Sequence, residues 1–325
     1  MACPECLHDY PDSNGPDFSE AAVCEKKQPM NQHQILADAI ARHAPHDGTF
    51  ESALPGVKLI RSSAPTMPMP VIYEPTVCFV AQGRKRAMLG TTAYDYDPAS
   101  HLIASVGLPV MGMVTQASEA MPYLSVQLDL DAPLLSELAI RHPPAPGTPI
   151  AIPAGLTLNK TSLPLIGAVA RLVCLLDTPA DIPGLAALTI REILYRLLTG
   201  PSGGVIRHMA QADSRLNQIA RVILWIRAHF AESCRIEEAA DLAGMSRSTF
   251  HLHFKAITGM SPLEYRTQLR MQEARRLMIA SAMDAASAGF QVGYDSPSHF
   301  SRDYSRIFGA PPAKDAVRLR AAAGS

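Results

Sequence analysis

Two textures of hydrophobic spacing divide the chain. Between Val57 and Leu128 the apolar residues come in short runs rich in β-branched and aromatic side chains, at 57–60, 71–73, 77–82, 86–89, 93–96, 101–106, 110–116 and 123–128, parted by Pro, Gly, Asp and Ser. Short strands at regular spacing with turn residues between them predict an antiparallel barrel or sandwich. An interior of that size is either filled by side chains or holds one small ligand. A short amphipathic helix over 35–43 precedes the strands. After them Leu165, Ile166, Val169, Leu172, Val173 and Leu176, and then Leu185, Leu188, Ile193, Leu194 and Leu197, recur at three- and four-residue steps and predict two helices. These form a hairpin packed on the barrel, and the width of both apolar stripes also offers a dimer seam. Pro133, Pro143, Pro144, Pro146, Pro149 and Pro153 keep any helix between them short.

Beyond Pro201-Ser202-Gly203-Gly204, which reads as a flexible break, the pattern is helical throughout. Helices are predicted over 215–231, 236–243, 246–257, 262–280, 284–288, 296–308 and 312–320. Gly244 stands where one helix ends and Ser246 where the next is capped, leaving a turn of three to four residues. That is the helix-turn-helix layout, whose second helix lies in a DNA major groove. Phe250, Phe254 and Ile257 form the inward stripe of this second helix and turn Arg247, Ser248, His251 and Leu252 outward. About fifty residues later the arrangement recurs: Ser296 caps, Pro297 takes the first helical position, and Phe300, Tyr304 and Phe308 face inward. Ser298, His299, Arg302 and Arg306 are left outside. The intervening helix of 19 residues is about 28 Å long at 1.5 Å per residue. That length suits a spacer between recognition helices in successive major-groove segments.

Charge changes the picture of a neutral chain. The 325 residues carry a formal net charge of −1, which taken whole argues against a nucleic-acid partner. Up to Ile206, however, 13 Lys and Arg stand against 19 Asp and Glu, and after it 16 stand against 11. An acidic half is joined to a basic one, as when a nucleic-acid module is fused to something else.

The residues from Ser246 to Tyr265, with Leu269-Arg270 and Ala274-Arg275-Arg276-Leu277, and then Val292-Gly293-Tyr294-Asp295-Ser296-Pro297-Ser298-His299-Phe300-Ser301-Arg302 and Phe308-Gly309-Ala310-Pro311-Pro312, resemble the DNA-binding domain of AraC-type transcription regulators. The resemblance implies base reading by Ser248, His251 and Leu252 in the first unit and by Ser298, His299 and Arg302 in the second. Arg247, Thr249, Lys255 and Arg306 are better placed for phosphates. Arg302 is the expected guanine reader, because its fork meets O6 and N7 together. One departure is Gly289, where the family more often has Ala; a glycine there costs roughly 1 kcal/mol of helix stability and is expected to loosen the second unit. In the first half, 50–57, 73–85 and 104–110 resemble the cupin-like N-terminal domain of one AraC-type subgroup. That implies effector binding and dimerisation, with RNA polymerase as a further partner and activation as the regulatory output.

The rival reading is a cupin enzyme, with or without a metal, fused to a DNA-binding module. A catalytic metal needs two or three His with a carboxylate, and between Glu51 and Arg141 the only histidine is His101. No nucleophile elbow or Ser/His/Asp constellation is visible. No cofactor and no metal are therefore expected. Cys78, close in sequence to Arg84, Lys85 and Arg86, is the candidate effector or redox residue, since nearby cations lower a thiol pKa; its alternative is a small core hydrophobe. Six cysteines lack the spacing of a disulfide scaffold. Glu5, Asp9 and Asp12 stand where a signal peptide is basic and then apolar, and Arg171 breaks the longest apolar stretch. A cytoplasmic protein off the membrane is expected.

The expected architecture is α+β and multidomain: a disordered tail at 1–32, a cupin-like sensory β-barrel with a helical hairpin at 33–200, a linker at 201–212, and an all-α domain with two helix-turn-helix units at 213–320. Within the tail, Cys3 and Cys6 with His8 are too few for a structural zinc site, and a start of translation at Met30 is the alternative account of that segment.

Overall fold

The computed structural model describes residues 31–144, 153–232 and 235–323. The tail reading up to Met30, the Cys3 and Cys6 pair within it, and Cys234 lie outside the described residues.

The β-rich half is built from two antiparallel sheets. The strands are β1 Gly48–Glu51, β2 Val57–Ser62, β3 Met69–Tyr73, β4 Thr76–Gln82, β5 Arg84–Leu89, β6 Thr92–Tyr96, β7 Ser100–Ala104, β8 Leu108–Gln116, β9 Tyr123–Asp129 and β10 Leu156–Lys160. One sheet runs β1-β2-β9-β4-β7-β10 and the other β3-β8-β5-β6. Strand β4, Thr-Val-Cys-Phe-Val-Ala-Gln, is buried along nearly its whole length, as expected of a central strand covered on both faces. Strand β1 has no alternating apolar signal and β10 alternates only Leu156 and Leu158 with polar residues; each pairs as an edge, β1 on β2 and β10 on β7. Tyr73, Cys78, Tyr96 and Tyr123 are buried, and the Tyr73 and Tyr96 hydroxyls lie 3.1 Å apart.

Helix α1 (Gln32–His43) packs Leu36, Ala39 and Ile40 inward, and α2 (Ala132–Arg141) carries its proline in the first turn, where a missing N–H costs nothing. The expected hairpin is α3 (Leu163–Cys174) and α4 (Ile182–Thr199). Helix α3 is buried on most sides, whereas α4 leaves Leu185, Leu188 and Tyr195 exposed. Among the described residues no single helix is long and apolar enough to cross a membrane.

The segment read as a flexible break differs from that expectation. Residues Gly203–Ala210 form a helix, α5, and Ser202 just before it is 2% exposed. The reason is local: the buried His101 imidazole meets the Ser202 hydroxyl through Nε2 at 2.8 Å and the Thr161 hydroxyl through Nδ1 at 3.1 Å. Burial pushes the His101 pKa down to about 4, so the imidazole is neutral and serves as both donor and acceptor. Two glycines in sequence announce freedom, but here both lie in the first turn of α5, and Gly203 is buried.

The helical half comprises α6 (Arg215–Ala228), α7 (Ile236–Leu242), α8 (Arg247–Thr258), α9 (Pro262–Ala280), α10 (Ala285–Gln291), α11 (Pro297–Phe308) and α12 (Pro312–Ala323). Serine caps set the starts: Ser246, Ser261 and Ser296 each accept from the backbone N–H three residues on, and Glu264 closes a capping box on Ser261. Strand and helix halves touch directly. Arg227 of α6 forms a two-bonded ion pair with Glu74, the Tyr265 hydroxyl donates to the Gly107 carbonyl at 2.7 Å, and the Gly155 N–H donates to the Ile257 carbonyl at 2.7 Å.

Candidate nucleic-acid interface

Each recognition helix is oriented by the aromatic stripe beneath it. In α8, Phe250 and Phe254 are fully buried and stack edge-on with each other, and Phe254 does so with Tyr265 of α9. In α11, Phe300 and Tyr304 are fully buried, and Tyr304 packs on Phe308. With those side chains fixed, the 3.6-residue period presents the intervening positions to solvent.

The structure places Arg247, Ser248, Leu252 and Lys255 on the exposed side of α8, with Thr249 and His251 half-buried. Arg247 meets Glu237 of α7 at 3.1 Å, both largely exposed. Thr249 belongs to the cap: its hydroxyl accepts from Ser246 at 2.9 Å. Leu252 is 66% exposed, an apolar side chain held in water. The carbonyl of Ile257, near the end of α8, takes the hydrogen bond from the Gly155 N–H of the β-rich half.

On α11, Ser298, His299, Arg302 and Arg306 are all exposed. His299 and Arg306 lean on one carboxylate, that of Asp303, at 3.4 Å and 2.9 Å. Asp303 also accepts from the Tyr294 hydroxyl at 2.9 Å, and burial together with that bond pushes the hydroxyl's pKa up. Sequence reasoning passed over Asp303, although its spacing of four from His299 and three from Arg306 is a readable helical signal.

Two further arginines position the units and had no such signal. Arg270 of α9 donates to the carbonyls of Phe230, Ala231, Glu232 and Gly293, so it ties the turn of the second unit to the end of α6. Arg275 pairs with Asp315 of α12 at 2.8 Å, with Arg275 4% and Asp315 0% exposed. Burial works against the Asp315 charge, but bonds from Arg275, Tyr304 and Arg318 hold the carboxyl below its usual range.

Gly289 has a packing role that the sequence comparison with Ala obscured. A Cβ there would come within 2.9 Å of Phe300 Cγ, so the glycine lets α10 lie close against α11. Cys78, by contrast, is buried in β4, and burial pushes its thiol up to about 11 while Lys85 opposes the shift. That direction is opposite to the one an activated thiolate needs. Among the described residues no group of three His, Cys, Asp or Glu is placed to hold a metal ion.

Comparison with known proteins agrees with this division of the chain. Residues 53–205 match the family described as the AraC-type transcriptional regulator N-terminus, and residues 239–316 match a helix-turn-helix domain. The HTH-type transcriptional activator RhaS of Citrobacter koseri is 30% identical over 162 residues, which is 49% of this chain and 56% of that protein. RhaS of Escherichia fergusonii is 31% identical over 146 residues, 44% of this chain and 51% of that protein. The chain therefore spans about half the length of the curated relatives it matches. An apo crystal structure of a ToxT variant from Vibrio cholerae superposes with a TM-score of 0.50 over 82% of this chain and 99% of that one, at 10% identity; this likeness concerns the fold.

Proposed function

This chain belongs to the AraC-type transcriptional regulators, and from that premise we propose that it is a sequence-specific, double-stranded-DNA-binding regulator that works as an activator. The observation that carries the reading is the repeated pair of serine-capped, aromatic-backed helices, α8 and α11, at either end of the 19-residue spacer α9. Each presents polar and cationic side chains outward, as a major-groove helix requires.

In this reading Ser248, His251 and Leu252 read one groove segment and Ser298, His299 and Arg302 the next. Arg247, Thr249, Lys255 and Arg306 hold phosphates and fix the register. Arg302 makes no ion pair among the described residues, so its fork is free to meet a guanine. Arg306 and His299 exchange Asp303 for DNA partners or share it with them.

The β-rich half is the sensor in this proposal, responding to a small-molecule effector. The exposed Leu185, Leu188 and Tyr195 of α4 support a homodimer seam, and RNA polymerase is the further partner of an activator. The regulator acts in the cytoplasm, without cofactor and without enzymatic activity.

The test is selection of operator DNA by the full chain, followed by binding assays on the selected sites with single variants. Variants at base-reading positions should relax preference at individual base pairs, and phosphate-position variants should weaken all sequences alike while reducing the salt slope. Equal loss on every competitor DNA for all ten positions would overturn the assignment. A stoichiometric iron, manganese or zinc in purified protein would favour the enzyme reading instead.

A further inference from the structure

The phosphate-position arginines of the two recognition helices differ in what holds them. In the first unit Arg247 pairs with Glu237 of the neighbouring helix α7, and the Glu237 side chain is 61% exposed. In the second unit Arg306 donates to Asp303, one turn back on its own helix, at 2.9 Å, and the Asp303 side chain is only 17% exposed. His299, a turn before Asp303, lies 3.4 Å from the same carboxylate.

Asp303 is also tethered, as Glu237 is not. One of its oxygens takes the Arg306 bond, and the other accepts from the Tyr294 hydroxyl at 2.9 Å. Tyr294 is buried, with the Arg270 guanidinium 5.6 Å from its ring centre. Arg270 is fixed in turn by the carbonyls of Phe230, Ala231, Glu232 and Gly293. The carboxylate therefore belongs to the turn of the second unit as much as to α11. Lys255 of α8 and Glu264 of α9 line the same groove as Asp303 and Arg306, so acid and base alternate along it.

An ion pair between two exposed side chains is weak, because water and salt screen both partners. A fixed, partly buried carboxylate is screened less. A phosphate that approaches Arg306 has to draw the guanidinium off Asp303 or share it, and then stands close to a negative charge that cannot leave. We propose that Asp303 is a positioning residue that acts through Arg306 and sets the charge the second unit offers to DNA. The inference rests on the reading of Arg306 as a phosphate contact and adds the residue that tempers it. In consequence charge recruits the first unit more than the second, whose hold on DNA depends on base contacts such as that of Arg302.

The experiment measures binding of the full chain to a selected operator and to an unrelated duplex over a series of KCl concentrations. Asp303→Asn keeps the shape and an acceptor for Tyr294 while removing the charge. It should tighten the operator roughly three- to ten-fold at about 0.1 M salt and steepen the slope of log K against log salt by up to about 0.9, the share of one phosphate contact. The unrelated duplex should gain in the same direction. Asp303→Ser, which also leaves Tyr294 an acceptor, should act alike and stands in if the amide disturbs the turn. Glu237→Gln in the first unit should change affinity by less than about two-fold. In an Arg306→Ala background the gain from Asp303→Asn should vanish, because the effect passes through that side chain. Weaker binding with an unchanged slope would make Asp303 a scaffold residue, and an equal gain without Arg306 would make it a bare repulsive charge; either result overturns the proposal. Arg306→Ala alone separates this inference from the reading beneath it. An unchanged salt slope there counts against the phosphate contact itself, whereas a reduced slope with no gain from Asp303→Asn counts against Asp303 alone.

Discussion

The two helix-turn-helix units share a plan but differ in what they are anchored to. Phe250, Phe254, Ile257 and Met260 of the first belong to a hydrophobic core continuous with that of the sensor. Phe300, Tyr304, Val292 and Tyr294 of the second form a separate core with Met271, Ala274 and Met278 of α9. The second unit replaces sensor contact with a buried ion pair, Arg275 to Asp315. The difference teaches that a change in the sensor reaches the first unit by direct packing, and the second through α9 and the segment after α6, where Phe230 packs on both cores.

The strongest way to break this comparison is Asp315→Ala. Removing one partner of a buried pair leaves the other charge uncompensated, at a cost of about 3–5 kcal/mol. Hydrogen exchange should show α11 and α12 losing protection while α8 keeps it; joint loss would mean that the two cores are one.

Acid should act on the other side of the divide. The His101 pKa is about 4 in the folded protein against an ordinary 6.5, so the unfolded chain takes up the proton first. The contribution of this site to stability is full above pH 6.5 and is lost as pH falls from there toward 4, to at most about 3 kcal/mol. Thermal melts across that window should show the sensor and first unit weakening, and His101→Gln should flatten the dependence.

Arg302→Ala should cost about 1–3 kcal/mol of operator affinity and relax preference at one base pair, measured by competition binding. Arg247→Ala, in the first unit, should lower affinity evenly across sequences. The smallest effect expected is that of Gly289→Ala. Helix propensity favours alanine by about 1 kcal/mol, while the clash with Phe300 costs about 1–3 kcal/mol. A net loss of melting temperature marks the glycine as a packing residue, and a gain marks it as the loosening element read from the sequence.

Much of the reader was legible because its signals are local. Serine caps, a first-turn proline and aromatic steps of four lie within a few residues of one another, so they predict helix starts and inward faces without tertiary knowledge. The eight predicted strands were readable for a similar reason, since each has its own apolar run. Strands β1 and β10 were not, because Gly48–Glu51 is an edge with little burial and Leu156–Lys160 an edge with only two apolar residues. Helix α5 was hidden behind Ser202-Gly203, whose order comes from His101, a hundred residues away.

The hydrogen bond from the Gly155 N–H to the Ile257 carbonyl has an evolutionary consequence. Main chain meets main chain there, so the grip of the sensor on α8 is indifferent to which side chains that helix displays. If Ser248, His251 and Leu252 read bases as proposed, they are thereby free to diverge toward new operators without loosening this hydrogen bond. Residue 155 is one vulnerable position of that joint, since a Cβ there would stand 2.6 Å from the Ile257 oxygen. Specificity in such a protein can drift across a whole helix face, while this hydrogen bond depends on one missing methyl group.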